Sequence, residues 1–152
     1  MENNKSNIIS LGCRLNIYES EIIKSITNKL NINDYTIINS CAVTNEAEKK
    51  VRYEIRRAKR LNPSKKIVVT GCAAQINPEK YSQMSEVDLV LGNSEKMEEK
   101  VWKDIKHNNQ IQVNDIFNIS STHNHIIEKF EDKARAYIEI QQGCNHRCTF
   151  CI

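Results

Sequence analysis

Ile67-Val68-Val69-Thr70-Gly71-Cys72-Ala73-Ala74-Gln75 is an apolar, β-branched run that stops at a glycine and a cysteine. It lacks polar–apolar alternation, which marks a strand buried on both faces. Gly71 permits a tight turn ahead of Cys72. The same order occurs twice upstream: Ile8-Ile9-Ser10-Leu11 runs into Gly12-Cys13, and Thr36-Ile37-Ile38-Asn39 into Ser40-Cys41. Val87 to Leu91 reads as a fourth strand, and a last one is expected within 111–119.

The segments between these strands carry helical patterns. Asn16 to Leu30 places Ile22, Ile23, Ile26 and Leu30 on one face. Asn16, with Glu19 three positions later, has the spacing of a capping box, with Asn in place of Ser or Thr. Thr44 or Asn45 caps a longer helix that runs to about Leu61 and is ended by Pro63; Ala47, Val51, Ile55 and Ala58 form its inward stripe. Asn77-Pro78 starts a short helix, and Ser94 to Ile105 forms another. Strand–helix alternation at this pitch predicts an α/β fold over residues 1–119, a doubly wound parallel sheet with right-handed crossovers. Residues 120–133 are polar and aperiodic and read as a linker. Ala134 to Ile140 alternates and runs into Gly143, as the first strand of a second domain over 134–152.

In a parallel sheet the carboxyl ends of the strands share one edge, where ligands bind. Cys13, Cys41 and Cys72 are therefore expected to converge. Each precedes a helix start, where backbone N–H groups and the dipole favour anionic sulfur. Three thiolates suit an iron–sulfur cluster with one open iron. With a water they also suit zinc, and three small buried thiols ending three strands is the plainest reading of all. Asn16, Asn45 and Gln75 follow the triad cysteines by three or four positions, as pocket-lining residues or caps; capping is favoured for Asn16 and Asn45.

A second triad closes the chain. Gly143-Cys144-Asn145-His146-Arg147-Cys148-Thr149-Phe150-Cys151 spaces its cysteines C-x3-C-x2-C. Three thiolates on one loop can hold three corners of an iron–sulfur cube. No fourth cysteine follows, which leaves one iron for a non-protein ligand. His146 as a fourth ligand would close that position. His107, His123 and His125 stand in polar surroundings and read as solvated.

The 152 residues have room for one domain and a short remnant. No apolar run approaches the ~20 residues of a membrane span, and the N-terminus lacks an apolar signal region. A cytoplasmic location follows, where six cysteines do not form three structural disulfides. The net charge of +3 is unevenly spread. Residues 46–66 hold nine Lys/Arg and three Asp/Glu, a net of +6. Lys49, Arg52, Arg56 and Lys59 share a helix face opposite the apolar stripe. Such a stripe is usually a solvated face, and its functional alternative is a phosphate-contact surface.

The cysteine pattern resembles that of the radical S-adenosylmethionine (SAM) methylthiotransferases. The residues carrying this resemblance are Leu11-Gly12-Cys13-Arg14-Leu15-Asn16-Ile17-Tyr18-Glu19-Ser20, Asn39-Ser40-Cys41-Ala42-Val43-Thr44-Asn45-Glu46-Ala47-Glu48, Val69 to Gln75, and the closing triad. The first two segments look most like the branch acting on threonylcarbamoyl-adenosine next to the tRNA anticodon. The isopentenyl-adenosine and ribosomal-protein branches are the alternatives. The resemblance implies two 4Fe-4S clusters, an auxiliary one on Cys13, Cys41 and Cys72 and the SAM cluster on Cys144, Cys148 and Cys151. It implies SAM as cofactor, with Phe150 near its adenine, and the tRNA anticodon loop as partner of a monomeric enzyme. It leaves the sulfur and electron donors open. The rest of the SAM barrel, the start of which is the 134–152 segment, would lie beyond Ile152, so the chain as given is expected to be inactive. Two readings from other classes compete, a two-cluster electron-transfer module and a zinc-stabilised nucleic-acid-binding domain. A ferredoxin closes each cluster with four cysteines, and neither triad has a local fourth.

Overall fold

The computed structural model describes residues 6–42, 44–107, 109–119, 135, 137–144, 146 and 148–149. Five parallel strands lie side by side in chain order: β1 (Asn7–Ser10), β2 (Tyr35–Ser40), β3 (Lys66–Gly71), β4 (Leu89–Leu91) and β5 (Ile111–Gln112). The helices between them are α1 (Arg14–Lys29), α2 (Asn45–Leu61), the short pair α3 (Cys72–Ile76) and α4 (Pro78–Ser82), and α5 (Glu99–Lys103).

Alternate residues of each central strand feed two cores. Ile38, Ile67, Val69 and Val90 pack with Val51, Ile55 and Ala58 of α2, Ala73 and Ala74 of α3, and Tyr81 of α4. Ile37, Val68, Leu89 and Leu91 pack with Ile22, Ile23 and Ile26 of α1, and with Trp102 and Ile105. The sheet is thus covered on both faces, as the two-sided apolar strands require. The expectation of uniformly right-handed crossovers fails. With strands in chain order, uniform handedness would put every helix on one face and leave the other bare. Here α1 and α5 cover one face, α2 to α4 the other, so the two sets of crossovers have opposite hands.

Local expectations hold where a side chain caps. The Thr44 hydroxyl accepts from the Ala47 N–H at 3.0 Å and starts α2. Asn77 does the same for α4, accepting from the Lys80 N–H with Pro78 at the first position. Two boundaries differ. Helix α1 begins at Arg14 with Cys13 at its cap, so Asn16 and Glu19 lie inside it and form no capping box. The helix expected over 94–105 is split: a 3₁₀ turn at Glu95–Met97, extended backbone at Glu98, then α5. The break lets Trp102 bury fully and donate its indole N–H to the Lys96 carbonyl at 2.8 Å. The last strand lies within 111–119 as expected, at Ile111–Gln112, and is followed by a 3₁₀ turn at Ile116–Asn118. Residues 120–134 and 136 lie outside the described ones, and 137–140, part of the strand expected over 134–140, are not assigned to a strand among the described residues.

Glu19 and Lys96 join α1 to the loop after β4. Their charged atoms are 2.6 Å apart and almost wholly buried. Lys96 also donates to the Asn93 side chain at 2.9 Å. Lys96→Met should strand the Glu19 carboxylate and cost about 3–5 kcal/mol, read as a lower urea midpoint. The double change Glu19→Leu with Lys96→Met should recover most of that loss. A double variant as unstable as the single would show that the pair's value lies in its charges rather than its packing.

Tyr81 is fully buried, and its hydroxyl has no hydrogen-bond partner among the described residues. Burial, reinforced by Glu48 and opposed by Arg52, pushes its pKa up to about 12. An unfolded tyrosine ionises near pH ~10. The native state therefore holds the proton longer, and stability present below about pH 10 is lost as pH climbs towards 12. Tyr81→Phe should flatten that alkaline limb in pH-dependent unfolding and cost under about 1 kcal/mol at neutral pH. An unchanged limb would mean that this hydroxyl does not govern it.

Candidate metal centre

The carboxyl ends of β1, β2 and β3 deliver Cys13, Cys41 and Cys72 to one edge of the sheet. None is in a disulfide; Cys13 is exposed, Cys41 buried and Cys72 intermediate. The loops carrying the first two touch. A Cβ built on Gly12, whose φ is +124°, would lie 2.7 Å from the Cys41 Cβ and 3.0 Å from its Sγ. The third loop is equally close. A Cβ on Gly71, at φ +92°, would fall 2.3 Å from the Ser40 carbonyl oxygen. Both glycines are thus required by approach and by backbone angle.

Side-chain amides and hydroxyls fix these loops. The Asn16 amide donates to the Leu11 carbonyl at 3.0 Å and the Ser40 carbonyl at 2.9 Å, bridging the ends of β1 and β2. Its oxygen accepts from the Cys13 thiol at 3.3 Å. Asn39 donates to the Asn16 carbonyl and the Ser20 hydroxyl. Ser40 donates to the Thr70 carbonyl and accepts from the Ala74 N–H, tying β2 to β3 and α3. Asn16 is therefore a loop clamp, not a cap, and Asn45 simply follows the Thr44 cap. The Gln75 carbonyl accepts from the Asn93 N–H at 2.8 Å and its amide donates to the Asn114 carbonyl at 2.9 Å. It links the loops after β3, β4 and β5.

Burial pushes the Cys72 thiol up. Lys96 opposes that rise, while Glu19, Cys41 and Cys13 add to it. Cys72 thus lies within electrostatic reach of both other thiols. The expected preference for anionic sulfur is outweighed here, because α3 is only five residues long and desolvation dominates. Among the described residues, no three Cys, His, Asp or Glu side chains are drawn close enough to hold a metal ion. The thiols share an edge without closing on one point.

The second triad is described at Cys144 and Cys148, both exposed; Cys151 and Phe150 lie outside the described residues. The Cys144 thiol donates to the His146 carbonyl at 3.7 Å, and His146 is exposed. His107 is exposed, as expected for a solvated residue, while His123 and His125 are outside the described residues. In the stretch before the triad, Glu139 lies within electrostatic reach of Glu19 and Lys96. Glu139 has a buried carboxylate oxygen without a hydrogen-bond partner among the described residues. Burial and Glu19 raise its pKa, and Lys96 opposes them. Sequence reading missed this Glu19–Lys96–Glu139 cluster. Its members are 77 and 43 positions apart along the chain, and nothing local signals it.

A family model described as "Uncharacterized protein family UPF0004" matches residues 5–92. Along its whole length the chain is 48% identical to the threonylcarbamoyladenosine tRNA methylthiotransferase MtaB of Rickettsia prowazekii (strain Madrid E), of which it covers 36%. Over 94% of its length it is 32% identical to the MtaB of Aquifex aeolicus (strain VF5), covering 38% of that protein. A tRNA-2-methylthio-N(6)-dimethylallyladenosine synthase of Ehrlichia ruminantium (strain Gardel) is 34% identical over 95% of the chain, which covers 36% of it. The chain spans about a third of the length of these relatives. The match over residues 5–92, more than half of the chain, shows that the chain belongs to the UPF0004 family.

Proposed function

We propose that this chain is the N-terminal part of a cytoplasmic, monomeric tRNA methylthiotransferase that adds a methylthio group to N6-threonylcarbamoyladenosine beside the anticodon. The observation that supports it is the placement of three free cysteines at one sheet edge, in a chain 48% identical to a relative of that name. The branch that acts on dimethylallyladenosine is the second reading, since relatives of that name also match nearly the whole chain. No helix of the described residues is long and apolar enough to cross a membrane.

In chemistry, though not in closed geometry, the donor set suits a three-thiolate cluster. Cys13, Cys41 and Cys72 are free thiols on touching loops. Cys144, Cys148 and Cys151 would hold the second cluster, with SAM on its open iron and Phe150 beside the adenine. When bound, such clusters supply the electron that cleaves SAM and a site for the sulfur to be transferred. The chain's own residues do the positioning. Asn16 keeps the Cys13 and Cys41 loops in register, and Ser40 sets Cys72 against them. Thiolates are the ligands, so Cys72 must release its proton against burial, and the buried Lys96 ammonium is the group that favours this.

Replacing Cys13, Cys41 or Cys72 by Ala in the full-length protein should abolish one reconstituted iron–sulfur load and spare the other, by iron count and visible absorption. Replacing the Cys144 triad should do the reverse. Unchanged iron in both sets, or zinc without a visible band in the native protein, would reject the two-cluster reading.

The 152-residue chain, reconstituted and given SAM and a strong reductant, should form no 5′-deoxyadenosine above the cluster-free background, whereas the full-length protein should. Productive cleavage needs a pocket around the sulfonium, and residues 134–152 supply only a small part of one. Turnover by the short chain would contradict this.

A further inference from the structure

Helix α2 carries Lys49, Arg52, Tyr53, Arg56, Lys59 and Arg60 along one flank, which together with Glu86 line a shallow groove. Five cations thus face one carboxylate. Arg52 and Arg56 stand one helical turn apart, with Lys59 on the next, as a row of about 6 Å spacing. Their acidic neighbours hold them loosely. Arg52–Glu48, Arg56–Glu86 and Lys59–Asp88 measure 3.6, 3.7 and 3.8 Å, beyond hydrogen-bond length. Glu48 is also bound by Lys80, and Lys59 by the Lys65 carbonyl. Partly exposed pairs at these distances contribute little to stability, so phosphates can displace them. Tyr53 lies among these cations with its side chain 56% exposed. A row of cations with an open aromatic face is what a single-stranded nucleic acid uses, the phosphates on the charges and a base on the ring. The helix starts just after the Cys41 loop, so the row leads away from the cysteine edge.

We infer that this flank of α2 binds an RNA strand outside the reacting nucleotide, with phosphates on Arg52, Arg56 and Lys59 and an unstacked base on Tyr53. This rests on the reading that the protein acts on tRNA. It adds to that reading a grip on the RNA supplied by this domain, remote from the cysteines.

The test measures binding of the full-length protein to an unmodified anticodon stem-loop across a salt series. Arg52→Gln, Arg56→Gln and Lys59→Gln together should make the log–log salt dependence shallower by roughly two units. A charge-matched triple on the opposite face of the sheet, Lys29→Gln, Lys100→Gln and Lys103→Gln, should leave the slope unchanged. Tyr53→Ala should weaken binding roughly 5- to 100-fold while Tyr53→Phe retains it. An unchanged slope in the first triple, an equal fall in both triples, full affinity of Tyr53→Ala, or binding of phosphatidylserine vesicles but not RNA would each overturn the assignment. Methylthiolated product from the wild-type enzyme alongside an unmoved slope would reject this surface and leave the proposed reaction standing. A shallower slope without product would reject the reaction alone.

Discussion

The Asn16 amide donates to two carbonyls at the ends of adjacent parallel strands, Leu11 and Ser40, and the position of the first two cysteines follows from it. Strand ends have unpaired carbonyls that must be satisfied when buried. A fully buried asparagine one turn into α1 satisfies both at once. The consequence is geometric: the loops are drawn together until Gly12 touches Cys41 and Gly71 touches Ser40, an approach that only glycine permits. Substituting Asn16 would leave two buried carbonyls unpaired and free the loops, so stability and ligand geometry are set by the same group.

The sheet topology explains why the edge is open for chemistry. After β1 the chain turns to one face, and after β2 to the other. Divergence of neighbouring connections leaves a crevice beyond the strand ends, which is the general reason ligands bind there in open α/β sheets. Cys13 and Cys41 stand on the two sides of that divergence.

Buried charge accumulates beside the same edge. Glu19 and Lys96 are almost wholly buried, and the Glu139 carboxylate lies within their electrostatic reach. A buried ion pair is weak evidence for stability, because desolvation offsets its attraction. An apolar pair of similar size would pack as well. The charges instead set the electrostatics of their surroundings. Lys96 favours the thiolate form of Cys72, while Glu19 moderates it. Charge from Glu139, in the stretch before the second triad, bears on this pair too.

The parts legible in the sequence were those with local physical causes. Apolar runs marked the strands, and Thr44, Asn77 and Pro78 marked helix starts, because each effect acts within a few residues. Long-range causes left no trace. Asn16 and Glu19 have capping-box spacing, yet the structure uses one to bridge two strand ends and the other to meet Lys96. The two are identical in sequence to a cap and its partner; only contacts to Ser40 and Lys96, 24 and 77 positions away, distinguish the roles. Helix α3 was legible only as a helix start at Cys72, because no side chain caps it; it is held by packing of Ala73 and Ala74 under β2 and β3 instead. The handedness was missed for the converse reason. Right-handed crossovers are a rule of local twist, and here the requirement to cover both faces of a two-sided apolar sheet prevails over it.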